Sequence, residues 1–227
     1  MSAAPATLAA LLVLWSVPAA AQAGGSRPTH RVEVSVGGLF LAGAQLGSES
    51  ADLRANRTPP GPFTLFTTET RIVGSSGFDG RVGFWLTRSI VVEGGLVYAH
   101  PPVRTHVAGD VEGAEAIDLD ERLDQYFIDA SGSLMLDRWT FLDFVPFIEG
   151  GGGYLRQLHE GRTLVQTGQV YHVGGGLRRW LRTSDTGFIR ALGVRVDGRA
   201  YVLRHGFSFD ESPRSHGAIS GAVFVTF

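Results

Sequence analysis

Eight stretches of this chain alternate apolar and polar side chains with a period of two, and the charges through their centres keep to one parity. They cover residues 30–41, 78–86, 90–98, 125–136, 144–155, 164–181, 189–203 and 217–227. A period of two places successive side chains on opposite faces of an extended strand. The last stretch, GAISGAVFVTF, sets Ile219, Gly221, Val223, Val225 and Phe227 against Ala218, Ser220, Ala222, Phe224 and Thr226. An apolar strand with an open edge would template aggregation, and closing the sheet removes the edge. The pattern therefore predicts an all-β chain folded as an eight-stranded antiparallel up-and-down barrel with 217–227 as the closing strand, and the chemistry of its two faces makes the expected fold an eight-stranded antiparallel up-and-down transmembrane β-barrel. Segment 42–72 is polar and punctuated by Thr58-Pro59-Pro60-Gly61-Pro62, segment 101–121 is polar, acidic and Gly-containing, and both read as long loops at one end. Short connections such as 87–89 and 183–187 belong to the other.

Alternation alone does not separate a membrane barrel from a soluble one, because both have one apolar and one polar wall. The chemistry of the two parities decides. Glu33, Asp79, Arg81, Glu93, Asp129, Glu149, Arg178, Arg195, Asp197 and Arg199 share one face with Gly and Ser, while the other face carries Val, Ile, Leu, Phe and Tyr. Acids and arginines can pair across a narrow lumen, so these ten residues are expected to form an interior ion-pair network. The apolar face is then turned to lipid.

Residues 8–17 (LAALLVLWSV) are too short to span a bilayer as a helix. Ala21-Gln22-Ala23 has the small-x-small form of a cleavage site. A signal peptide over 1–23, cleaved after Ala23, and a barrel domain over 24–227 are the expected organisation. The segment carries no Lys or Arg, so only its amino terminus supplies positive charge. No later stretch approaches the ~20 apolar residues of a membrane helix, which leaves a barrel as the way to span.

Composition narrows the chemistry. A net charge of −2 and the absence of a basic stripe argue against nucleic acid as a partner. With no cysteine there is no disulfide and no thiolate ligand or nucleophile. The glycine runs 150–153 and 174–176 lack a P-loop lysine and read as curvature of the wall. The seven histidines show no paired spacing, so no metal, cofactor or catalytic residue is expected. His172 shares the charged face, and Ser215-His216 is a faint hydrolase-like pair near the outer rim.

Val145-Pro146-Phe147 followed by Gly150 to Tyr154, then Val173 to Leu177, then Val194 to Tyr201 with its Arg195-x-Asp197-x-Arg199 pattern, resemble the small bacterial outer-membrane β-barrel proteins of the OmpA/OmpX/OmpW-like group. The terminal aromatic Phe227 is similar to the carboxy-terminal residue by which such proteins are read by the barrel-assembly machinery. The resemblance covers residues 30–227. It implies a Gram-negative outer-membrane location, contact with outer-membrane lipids, and external segments 42–72 and 101–121 open to extracellular ligands. A non-enzymatic anchor is the expected role; a narrow porin-like channel for small solutes is the alternative, and a lipid-modifying enzyme a more distant one.

Overall fold

The computed structural model describes residues 31–55, 61–109, 114–159, 165–184, 186–205 and 214–227. The leader read at 1–23 lies outside the described residues. Eleven strands follow in chain order: β1 (Val32–Leu41), β2 (Ala44–Ala55), β3 (Gly61–Ile72), β4 (Ser75–Trp85), β5 (Ile90–Ala99), β6 (Pro102–Ala108), β7 (Ile117–Met135), β8 (Val145–His159), β9 (Val165–Thr183), β10 (Ala191–His205) and β11 (Arg214–Thr226).

Eight of them close a ring in the order β1, β4, β5, β7, β8, β9, β10, β11, and β11 pairs back onto β1. Every neighbouring pair is antiparallel. The closing register runs from Glu33 opposite Thr226 to Leu41 opposite Ala218. Phe227 lies just past the seam, where its N–H donates to the Val32 carbonyl at 2.9 Å and its ring meets Phe188 at 4.8 Å.

The segments read as long loops are largely strand. β1 runs on into β2 after Ala42 and Gly43, β3 leads into β4, and β5 into β6, so two barrel hairpins continue past the rim. There β2, β3, β6 and the first turns of β7 make a four-stranded external sheet. The reason is continuity of the ladder: once the barrel strands are paired, each further Thr, Ser or Val residue can extend a register already set. Gly47, at φ +119°, sits where that register shifts between Gln45 and Gly47, a conformation that a Cβ would strain.

The opposite end is made of tight turns. Thr87 Oγ1 accepts from the N–H groups of Ser89 and Ile90 between β4 and β5. A 3-10 turn, Asp137–Trp139, precedes Leu142 and Asp143 at φ 46° and 65° between β7 and β8. Gly187, at φ +103°, turns β9 toward β10.

The two faces are chemically inverted relative to a water-soluble barrel. Val34, Val36, Phe78, Val82, Val92, Leu96, Ile128, Ile148, Val173, Leu177, Val196 and Val223 are exposed on the outer wall. Four tyrosines, Tyr98, Tyr126, Tyr154 and Tyr171, also point outward, one on each of β5, β7, β8 and β9, near the rim that carries the external sheet. At the turn end the exposed apolar residues include Trp139, Phe141, Leu142 and Phe188. From Ile90 to Tyr98 along β5 the wall climbs about 27 Å of strand, or about 20 Å of axis at a tilt of ~40°. That is close to the ~25 Å apolar band of membrane barrels with aromatic girdles at both edges.

The lumen is filled in layers. At the turn end, Val91, Met135, Val145 and Phe147 pack with Trp85 and Trp180. A charged layer follows. Above it lies an apolar layer of Leu39, Leu41, Val97, Ala99, Phe127, Leu155, Val170, Tyr201, Leu203 and Ala218. Leu46, Ile72, Val103 and Leu123 form a last cluster at the base of the external sheet.

Candidate functional site

All ten residues of the charged parity lie inside the barrel, each no more than 5% exposed. Strand alternation puts them there, and glycine makes room for them. A Cβ at Gly95 would lie 2.9 Å from an Asp129 carboxylate oxygen and 3.2 Å from the Arg81 guanidinium carbon. Replacing that hydrogen would push the ion pair apart.

Arg195 on β10 donates to Glu93 on β5 at 3.0 Å, to Glu149 on β8 at 3.0 Å and to Asp197 at 3.2 Å. In the ring order β5 is four strands from β10 in either direction, so the Arg195–Glu93 pair crosses the full width of the lumen. Arg199 binds Glu149 at 2.5 Å, Asp79 on β4 at 2.7 Å and Asp197 at 2.6 Å. Arg81 reaches Asp129 at 3.3 Å, Asp79 at 3.2 Å and the Ser131 hydroxyl at 3.2 Å. Ser220 donates to Asp197 at 2.9 Å. Each arginine thus ties together strands that are not neighbours in the sheet.

Arg178 and Glu33 stand apart from that layer, nearer the turns, and pair with each other. The Arg178 guanidinium lies 4.6 Å from the Phe224 ring centre and 5.5 Å from that of Trp85. Trp85 Nε1 donates to Glu33 at 3.2 Å. The arrangement is a cation in an aromatic cage with its counter-ion attached, a desolvated setting in which cation–π attraction reaches about 2 kcal/mol.

Sequence reasoning missed the apolar layer and Tyr201, whose ring stacks on Phe127 at 5.2 Å and whose hydroxyl accepts from Arg199 at 3.3 Å. The signal was present: Leu39-Phe40-Leu41 and Tyr201-Val202-Leu203 are apolar on both parities, which marks a stretch with lipid on one side and a dry lumen on the other. His172 is buried beside Tyr201, ring centres 5.5 Å apart. Ser215 and His216 face opposite ways. His216 is buried with Nδ1 3.1 Å from the Ala42 carbonyl, while Ser215 is exposed on the outer wall, so the two do not form a nucleophile and base.

The external sheet carries a second polar region, on its outer face. Two cross-strand rows lie there: Arg71 on β3, Arg104 on β6 and Asp120 on β7, then Glu69, His106 and Asp118 one pleat higher. Arg104 binds Asp120 through two hydrogen bonds, 2.8 and 3.1 Å, and His106 Nδ1 lies 2.7 Å from Asp118. Further down the same face His100 meets Asp124 at 2.6 Å, while His159 meets Glu121 at 2.7 Å on the opposite, inward face. Among the described residues there is no cluster of His and carboxylates fit to hold a metal ion.

No known family and no curated protein matches the chain in sequence. Among solved structures it is similar to Neisserial surface protein A, with 12% identity and a TM-score of 0.49 over 86% of this chain and 97% of that one. It is also similar to Ail, the attachment invasion locus protein of Yersinia pestis, in complex with the heparin analogue sucrose octasulfate, at 9% identity and a TM-score of 0.42 over 87% of this chain and 99% of that one. A third is the outer membrane protease OmpT from Escherichia coli, at 11% identity and a TM-score of 0.40 over 87% of this chain and 97% of that one. The similarity is one of strand path, and it carries no ligand or activity to this chain.

Proposed function

We propose that the chain is a non-enzymatic, integral outer-membrane barrel whose closed and filled wall anchors the external sheet at the cell surface. One observation carries this reading: the charged residues are buried in the lumen while Val, Ile, Leu and Phe are exposed around the wall. In water that surface would bind itself or other apolar matter, far beyond the patch size that soluble monomers tolerate. In a bilayer it is the matched surface, and every strand of the ring is paired, as a lipid solvent requires. The leader read at 1–23 and the apolar closing strand β11 support export followed by recognition by the barrel-assembly machinery.

The ion pairs that cross the lumen favour an anchor over a channel. Solutes would have to part Arg195 from Glu93 and Glu149, and then pass the apolar layer above.

The chain has no cysteine of its own, so single-cysteine labelling tests both insertion and orientation. Ser48→Cys, exposed on β2, should react with a membrane-impermeant maleimide on intact cells. Thr186→Cys, exposed in the β9–β10 turn, should react only after permeabilisation. Equal labelling of both sites on intact cells, or recovery of the protein in the soluble fraction, would overturn the reading.

A further inference from the structure

We propose that the outer face of the external sheet holds a binding site for a small phosphate–ammonium zwitterion of the phosphoethanolamine type. The site is a cleft of about 230 Å³ lined by Glu69, Arg71, Arg104, His106 and Asp118. It is smaller than the ~300–1,000 Å³ that takes a drug-sized ligand, so the occupant is small.

This face of the sheet sets two like charges side by side. Arg71 and Arg104 are direct cross-strand partners, and like charges in that relation destabilise a sheet. Arg104 is neutralised by its two bonds to Asp120, which hold the Arg104 guanidinium above and the Asp120 carboxyl below their ordinary pKa values. Arg71 makes no hydrogen bond or ion pair among the described residues. Neither does Glu69, its same-face neighbour two residues before it on β3. Arg71, with all its N–H donors open, beside the Arg104 N–H groups that Asp120 does not take, suits a tetrahedral dianion whose oxygens bridge the two guanidinium groups.

The row above has the opposite sign. Glu69 is open, and Asp118 is engaged by His106 alone. The rows stand about 7 Å apart, two residues along a strand. A ligand lying along β3 with its phosphate on Arg71 and Arg104 and its ammonium on Glu69 meets both rows with matching charge. A simple anion would meet only the lower row and be repelled by the upper.

The position selects a source. Asp120 lies six residues beyond Tyr126 on β7, about 20 Å of strand past the tyrosine girdle. The headgroup of a lipid in the same bilayer does not reach that height. A free or glycan-borne phosphoethanolamine does.

The binding site rests on the barrel fold alone, and only its assigned source rests on the proposed membrane insertion, so binding is tested on purified protein folded in detergent. Folding is checked first by heat-modifiable migration, which keeps a failed barrel distinct from a failed site. O-phosphoethanolamine, inorganic phosphate and ethanolamine are titrated separately by isothermal calorimetry. Saturable binding is expected for O-phosphoethanolamine alone, weakened at least tenfold in Arg71→Ala and in Glu69→Gln. Both residues are exposed, so neither variant threatens the fold. Phosphate binding as well as the zwitterion, with Glu69→Gln indistinguishable from wild type, would reduce the site to an anion patch and overturn the proposal. So would the absence of saturation by any of the three. Tight binding to phosphatidylethanolamine micelles with none to the free headgroup would overturn the assigned source.

Discussion

Replacing Arg195 by Met should cost more stability than any single acid replacement in the charged layer. The layer holds five acids, Asp79, Glu93, Asp129, Glu149 and Asp197, against three arginines, Arg81, Arg195 and Arg199, leaving a formal excess of two negative charges (five minus three). Arg195→Met raises that excess to three. It strips Glu93 of its 3.0 Å partner, leaving only Arg81 at 3.8 Å, and it removes one of the two arginines from Glu149 and from Asp197. Breaking a buried ion pair on one side costs about 3–5 kcal/mol, and three carboxylates are affected here, so the upper end applies. Glu149→Gln has the opposite bookkeeping. The excess falls to one, the amide oxygen still accepts from one arginine, and the cost is the roughly 1–3 kcal/mol of weakened charged hydrogen bonds. With ~5 kcal/mol against at most ~3, the gap between the variants is about 2 kcal/mol or more, over tenfold in the unfolding constant. Urea titration of the protein folded in phospholipid vesicles, followed by tryptophan fluorescence and heat-modifiable migration, measures both values. If Glu149→Gln is the more damaging, or if Arg195→Met unfolds with the wild type, then the layer is hydrated rather than held by its cations.

Two further outcomes follow from the wall. Val196, exposed on the outer face halfway along β10, should cost about 2–4 kcal/mol when changed to Arg at the bilayer midplane; equal tolerance of that change in vesicles and in wide, wet detergent micelles would refute a lipid-facing Val196. Gly95→Val should destabilise by about 1–3 kcal/mol through overpacking against Asp129 and Arg81, while Gly94→Val, where no atom lies within 4 Å of the added Cβ, should stay near neutral in the same titration.

The eight barrel strands and the division of faces were legible because lipid and lumen impose opposite chemistry on successive residues. Glu33, Glu93, Glu149 and Arg195 could be assigned to one wall from parity alone. Their partners could not, because parity says which wall a residue is on and nothing of which strand stands across from it. The external sheet was illegible for a different reason. Over residues 64–72 of β3 only Thr70 and Ile72, at the base, are buried, so that stretch carries no apolar period although its backbone is fully extended. The apolar lumen layer was hidden by the same rule that found the rest: a strand with lipid outside and Leu or Tyr inside shows no alternation over those residues.

The layered filling of the lumen also bears on how the ring finds its alignment during closure. A slip of two residues between neighbouring strands preserves inside and outside perfectly, so the alternation that dictates the wall is blind to it. The layers are not. Sliding β10 by two would carry Tyr201 into the ring of carboxylates, or lift Arg199 among Leu39, Val97 and Leu155, and either misalignment strands a charge without its counter-charge. The three chemistries stacked along the axis therefore act as a proofreading code for assembly, rejecting shifted barrels that the membrane itself would accept.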